Sequence, residues 1–301
     1  KSSRESFINY GIKGGTTYKY NGRNYFVLNA QYRTRAPYFE NAFVSPSTRN
    51  LLVDDLVQEK VMSVEGGYVL KAPRLKAKVM GYVTQFNDGT DTRRFYHEEF
   101  NTFVNYSLTG IDKRHIGLEI GAEANLGRGF SATAVASIGQ FVYTSRPLGT
   151  ATQDNKDTVL ITDETIYIKD IRVANGPQSA YSVGINYRSP KFWFASMNLN
   201  YFDHIYTDVN PARRTLQALD LVNPGTEQWV SILSQERLPG QMTLDVSAGY
   251  SWRLNNRIKS MKRPTYLNFN LGITNLLNNE ELVTTAFEQL RFDFTDNNPN
   301  K

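Results

Sequence analysis

A chain of 301 residues with 40% hydrophobic and 21% charged side chains is long enough for one large domain or two modest ones, and nothing in its composition marks disorder. Its formal net charge of +5 is spread along the chain and not gathered into a basic run, which sets nucleic acid aside as a partner. Cysteine is absent, which excludes disulfides and thiolate chemistry, and no apolar stretch approaches the roughly 20 residues of a spanning helix.

The opening residues Lys1-Ser2-Ser3-Arg4-Glu5 carry no apolar signal region. The expectation is a chain whose leader was removed, or a segment that begins inside a larger protein. Beyond them the dominant pattern is period-two alternation, which in a strand sends successive side chains to opposite faces. Weak forms lie near residues 6 to 19, 23 to 34, 58 to 71, 74 to 87 and 100 to 124. Stronger ones follow. Phe130, Ala132, Ala134, Ala136 and Ile138 oppose Ser131, Thr133 and Ser137, and Tyr181, Val183, Ile185 and Tyr187 oppose Ser182, Gly184, Asn186 and Arg188. Trp193, Ala195, Met197, Leu199 and Tyr201 form the next apolar row. Met242, Leu244, Val246, Ala248, Tyr250, Trp252 and Leu254 form another, and Leu267, Phe269, Leu271 and Ile273 the last. About ten strands result.

Tight turns are expected at Asn21-Gly22, Ala72-Pro73-Arg74, Gly127-Arg128-Gly129 and Ser189-Pro190-Lys191, with a longer one from Asn255 to Pro264. Between them lie polar loops at roughly 35 to 57, 88 to 100, 146 to 178, 207 to 240 and 277 to 301. Short and long connections therefore alternate, as in an up-and-down antiparallel barrel whose two rims face different surroundings. A soluble β-sandwich also alternates apolar with polar residues. Strands of about ten residues, with Tyr and Trp at the ends of their apolar faces, favour a transmembrane β-barrel. A membrane sheet has to close. Here the first strand runs toward a short turn and the last away from one, so at least one strand is expected to be missing at each end.

Three segments resemble TonB-dependent outer-membrane receptors, of the kind found in Bacteroidetes. Arg114-His115-Ile116-Gly117-Leu118-Glu119-Ile120-Gly121-Ala122-Glu123 is similar to the family's "G-V-E-L-E-A" strand. Leu271-Gly272-Ile273-Thr274-Asn275-Leu276-Leu277-Asn278 resembles its "G-x-x-N-L-F-N" penultimate strand, and Thr34-Arg35-Ala36-Pro37-Tyr38-Phe39-Glu40-Asn41 resembles a recurring loop segment. The resemblance implies a plugged barrel of about 22 strands, of which this chain would hold roughly strands twelve to twenty-one. Residues 1–301 are thus expected to be a partial receptor barrel domain, without the plug and the closing strand. It also implies an outer-membrane importer of a scarce bulky nutrient, either a siderophore-like chelate or an oligosaccharide. The implied partners are outer-membrane lipid, the TonB complex, the protein's own plug and a surface lipoprotein. A passive porin or barrel adhesin, and a soluble carbohydrate-binding β-protein, stand as alternatives.

No catalytic constellation is legible, so no enzymatic activity and no cofactor are expected. His97, His115 and His204 lack metal spacing, and the acidic run from Asp154 to Asp157 with Asp163 and Glu164 lacks the ligand order of a calcium loop. Lys76, Lys78, Glu119, Glu123, Asp245 and Arg253 fall on inward faces. Ligand capture is expected from loop residues that join aromatic faces to charge. These are Tyr38 and Phe39, then Arg93, Arg94, Tyr96 and His97, then Arg213, Arg214 and Trp229.

Overall fold

The computed structural model describes residues 3–174, 176–260, 263–283 and 286. The backbone opens with β1 (Gly11–Lys19) and β2 (Asn24–Arg35), then a single helical turn, α1 (Phe39–Ala42). β3 (Glu59–Lys71), β4 (Leu75–His97), β5 (Thr102–Gly127) and β6 (Phe130–Tyr143) follow. β7 (Leu148–Gln153) and β8 (Val159–Thr165) occupy the next connection, before β9 (Ser179–Arg188) and β10 (Trp193–Asp203). A long excursion contains β11 (Ile205–Tyr206), α2 (Glu227–Leu233) and β12 (Arg237–Leu238). β13 (Gln241–Arg253) and β14 (Tyr266–Ile273) end the described sheet.

Ten strands form one antiparallel meander in the order β1-β2-β3-β4-β5-β6-β9-β10-β13-β14, an open sheet that is a fragment of a barrel. Its pairing aligns the apolar rows. Tyr187, Ala195 and Ala248 share one level, Ile185, Met197, Val246 and Ile273 another, and Val183, Leu199 and Leu244 a third. Among the described residues no second layer covers this face: Leu28, Val183, Met197 and Leu271 are 52%, 62%, 46% and 66% exposed. A sandwich would bury that face in its core, so the soluble alternative fails on this observation. Rings collect at the ends of the rows, with Tyr187 4.6 Å from Phe130 and 4.8 Å from Trp193 at one rim. Tyr181 and Tyr201 pair at 6.3 Å at the other.

The opposite face is a polar mesh. Ser196 and Ser247 meet at 2.6 Å, Asn200 donates to Asp245 at 2.8 Å, Asn29 donates to Glu65 at 2.8 Å, and Lys76 reaches Glu123 at 3.4 Å. Such a face suits a hydrated interior, whereas the other suits hydrocarbon.

Short turns have local causes. The Asn21 carboxamide oxygen accepts from the backbone N–H of Arg23 and of Asn24 at 2.9 and 3.0 Å, closing the β1–β2 turn. Gly129, at φ 86°, lies where a Cβ would stand 2.3 Å from the Arg188 carbonyl oxygen, so only glycine fits the β5–β6 turn. Within the sheet, Gly117 lies directly under the Tyr82 ring of the neighbouring strand; a Cβ there would stand 2.6 Å from the hydroxyl oxygen.

Two expectations need correction. Residues 88 to 100, expected as a loop, continue β4 and β5 as a paired hairpin whose ladder reaches His97 and Thr102. Register shifts at Phe86/Gly89 and Gly89/Asp91, with Gly110 at φ 72°, bend it where it leaves the sheet. The connections of 146 to 178 and 207 to 240 are likewise built structure, holding β7 and β8 in one and α2 in the other. Most of the expected final loop, including 287 to 301, lies outside the described residues.

Candidate functional site

The long-loop end of the sheet carries its own apolar core. One face of the protruding hairpin supplies Phe95, Val104, Tyr106, Leu108 and Ile111, and Ile166, Ile168, Val173, Val209 and Ala212 pack onto it from the two long connections. Polar contacts lock this cap. Arg49 donates to the Asp157 carboxylate and the Gln153 carbonyl, each at 3.0 Å, fixing the β2–β3 loop to the β7–β8 turn. The Arg93 guanidinium meets Asp208 at 2.9 Å and Asp91 at 3.2 Å and donates to the Val209 carbonyl, which pins the β10–β13 excursion to the hairpin. Burial works against the Arg93 charge, but Asp208 and Asp91 more than offset it and hold the pKa above the ordinary arginine value.

Several expected ligand residues turn out to be parts of this scaffold. Arg213 and Arg214 are 8% and 1% exposed. Arg213 donates to the Ser231 and Ile232 carbonyls at 2.8 and 3.0 Å, and Arg214 to Ile232 at 2.6 Å, so the pair caps the C-terminal carbonyls of α2. Their burial has a local cause: unfilled carbonyls at a helix end attract guanidinium donors. His97 is 2% exposed between the rings of Phe95 and Phe100, and burial pushes its imidazole down to about 4. Trp229 packs partly against Ala218, Val222 and Ile232. Tyr96 makes an edge contact with Phe103 at 5.3 Å.

Tyr38, Arg93 and Arg94 do come together. They line a cavity of about 480 Å³ between the β2–β3 loop, the root of the hairpin and Asp208. Tyr38 is 56% exposed, with the Arg35 guanidinium 4.6 Å from its ring centroid and donating to its hydroxyl at 2.7 Å. Phe39, 62% exposed, leans on Phe43 at 5.0 Å beside this group. Period two places the cavity on the polar face. Arg35 and Glu59 are register partners in the rows of Asn29, Gln31, Ser63 and Glu65, and Lys113 pairs with Phe86 on one side and Tyr143 on the other. Sequence reasoning did not single out Arg35, Glu59, Asp91, Lys113, Tyr143 or Asp208. The available signal was phase, since Lys113 falls on the same inward row as Glu119 and Glu123. No group of acidic or histidine side chains suited to a metal ion occurs among the described residues.

An open meander with an uncovered apolar face, a polar inner face and folded loops on one rim only defines an outer-membrane receptor barrel. Residues 9–276 match the family described as TonB dependent receptor-like, beta-barrel, and the chain belongs to that family. The solved structure of the FrpB iron transporter from Neisseria meningitidis superposes with a TM-score of 0.54 at 14% identity, over 89% of this chain and 35% of that one. The copper transporter OprC gives 0.53 at 14% identity, over 88% and 33%. The siderophore receptor PiuA from Acinetobacter baumannii gives 0.52 at 16% identity, over 89% and 31%. At these identities the likeness is one of fold, and the chain spans about a third of each relative's length. A search of curated proteins finds no match.

Proposed function

We propose that the protein of which residues 1–301 form a barrel portion is a TonB-energised importer of a scarce bulky nutrient across the outer membrane. The observation that carries this reading is the asymmetry of the sheet. Its apolar face is bare, its polar face is laced by Asn29–Glu65 and Asn200–Asp245, and only one rim is capped by packed loops with a cavity opening toward the polar side. A plug seated against that polar face, outer-membrane lipid, the TonB complex and a surface lipoprotein are the partners this function calls for. Tyr38, Phe39, Arg94, Tyr96 and Trp229 are the ligand-facing candidates that remain; Arg93, His97, Arg213 and Arg214 support the surface from beneath.

Uptake of the nutrient by cells carrying the full-length protein should stop when TonB is deleted or the proton gradient is collapsed. In planar bilayers the full-length protein should conduct negligibly. Steady, TonB-independent conductance would favour the passive porin instead.

A further inference from the structure

The short-turn rim of the sheet carries charge of one sign. The five segments 17–26, 69–77, 124–133, 186–195 and 251–267, which hold the turns and the strand ends beside them, contain thirteen Lys and Arg and no Asp or Glu. All 29 acidic residues lie outside them, with 21 of the 34 basic ones, so the rest of the chain is net negative. Arg23, Arg74, Arg128, Lys191 and Lys259 are exposed in the turns. Solvated turns gain nothing from a single sign. Adjacent strands lie about 4.8 Å apart, which sets neighbouring short turns roughly 10 Å from one another, near the screening length of physiological salt. Their charges therefore repel unless an anionic surface faces them.

We propose that this rim binds the anionic phospholipid headgroups of the periplasmic leaflet, the short turns being the periplasmic ones in outer-membrane barrels. What selects a lipid surface over a soluble acidic partner is the company the cations keep. Phe26, Leu75, Leu126, Trp193 and Trp252 carry the bare apolar rows to the rim and are exposed there. Each has a cation within three positions, at Arg23, Arg74, Arg128, Lys191 and Arg253 respectively. At a strand rise of about 3.3 Å per residue, such a cation is held within roughly 10 Å of the hydrocarbon edge, the depth of the lipid phosphates. Phe192 and Ile258, exposed within the turns beside Lys191 and Lys259, add apolar anchors of the kind that sink into a headgroup layer. The contact is thus continuous with the face that meets hydrocarbon. Basic groups on the inner rows, such as Lys76 where it meets Glu123 at 3.4 Å, turn toward the barrel mouth and take no part in it.

The test uses the full-length protein in phosphatidylcholine vesicles with a trace of spin-labelled phosphatidylglycerol or phosphatidylcholine, and reads the fraction of label immobilised at the barrel. Phosphatidylglycerol should associate about fivefold more strongly, the worth of one basic side chain at an anionic surface. Salt at about 1 M, which shortens the screening length to about 3 Å, should remove most of that preference. A variant carrying R23Q, R74Q, R128Q, K191Q, R257Q and K259Q should lose it, and the milder R74Q/K191Q should lower it in part. R146Q/K156Q/K169Q, which removes three exposed cations of the long-loop rim, should keep it. Heat-modifiable gel mobility and an unchanged number of immobilised phosphatidylcholines report that each barrel is folded. Equal association of the two lipids, a preference indifferent to salt and to the turn substitutions, or one that falls equally in the long-loop variant would each overturn the assignment. So would capture of polyglutamate by the turn rim in detergent without any lipid preference in vesicles, which would give the surface to an acidic protein. Uptake enters none of these readouts, so the importer reading stands or falls apart from them.

Discussion

Replacing Arg93 by methionine tests how the cap is held to the barrel. The Arg93 and Asp208 side chains are each 13% exposed and meet at 2.9 Å, so R93M strands a nearly dry carboxylate whose other contact is the Val209 N–H at 2.9 Å. Asp91, 36% exposed, can turn to water and should matter less. Breaking one side of such a pair costs about 3 kcal/mol, or roughly 150-fold in the population of the opened excursion. Hydrogen exchange on the full-length protein in detergent reads this directly. Amides of 205 to 214 should exchange faster by about two orders of magnitude, while those of β9 and β10 stay protected. D208L alone should open the same segment, and R93M with D208L should recover most of the loss because neither charge is then stranded. A change below about threefold in R93M, or single effects that simply add in the double variant, would show that the clasp is incidental and that the apolar core alone holds the cap.

Met197 lies midway along β10 on the bare face; M197R should weaken folding into lipid vesicles by about 2–4 kcal/mol, whereas N198R on the polar face should cost far less. Burial lowers the folded-state pKa of His97 from 6.5 to about 4, so its neutral form stabilises the hairpin tip above pH 6.5 and that contribution is lost as pH falls toward 4. Protection of residues 95 to 104, referred to the intrinsic exchange rate at each pH, should therefore fall between pH 6.5 and 4.5 in the wild type and not in H97F. R214M removes the donor to the Ile232 carbonyl at 2.6 Å and should loosen α2 by about 1–3 kcal/mol, read as faster exchange at 228 to 233 while the sheet is unchanged.

Strands were legible in the sequence wherever one face meets hydrocarbon and the other water, because the solvents on the two sides impose the alternation. Tyr181 to Tyr187 and Trp193 to Tyr201 show this, and their register follows from matching apolar levels. The hairpin tip was not legible for the opposite reason. Its buried face runs Asp91, Arg93, Phe95, His97, where charge is satisfied by Asp208, more than a hundred positions away in sequence. Local periodicity cannot register a partner that distant. Arg213 and Arg214 mislead in the same way, since an adjacent arginine pair in a polar segment reads as exposed until α2 is seen to end against it. The cavity was half visible: aromatic and charged residues at Tyr38 and Arg94 stood out, while Lys113 was concealed inside a strand whose apolar side drew attention.

The meander has a kinetic consequence. Each main-sheet pairing joins strands adjacent in the chain or separated only by a loop excursion, as β6 with β9 and β10 with β13. Closing such a loop grows dearer only with the logarithm of its length, by about 0.6 kcal/mol per doubling. Hairpins can thus zip one onto the next while the growing rim stays shielded. Sealing the cylinder, which joins segments far apart in sequence, is the one step that must search, and the rate of assembly should depend on that seam and be nearly indifferent to how long the cap loops have become.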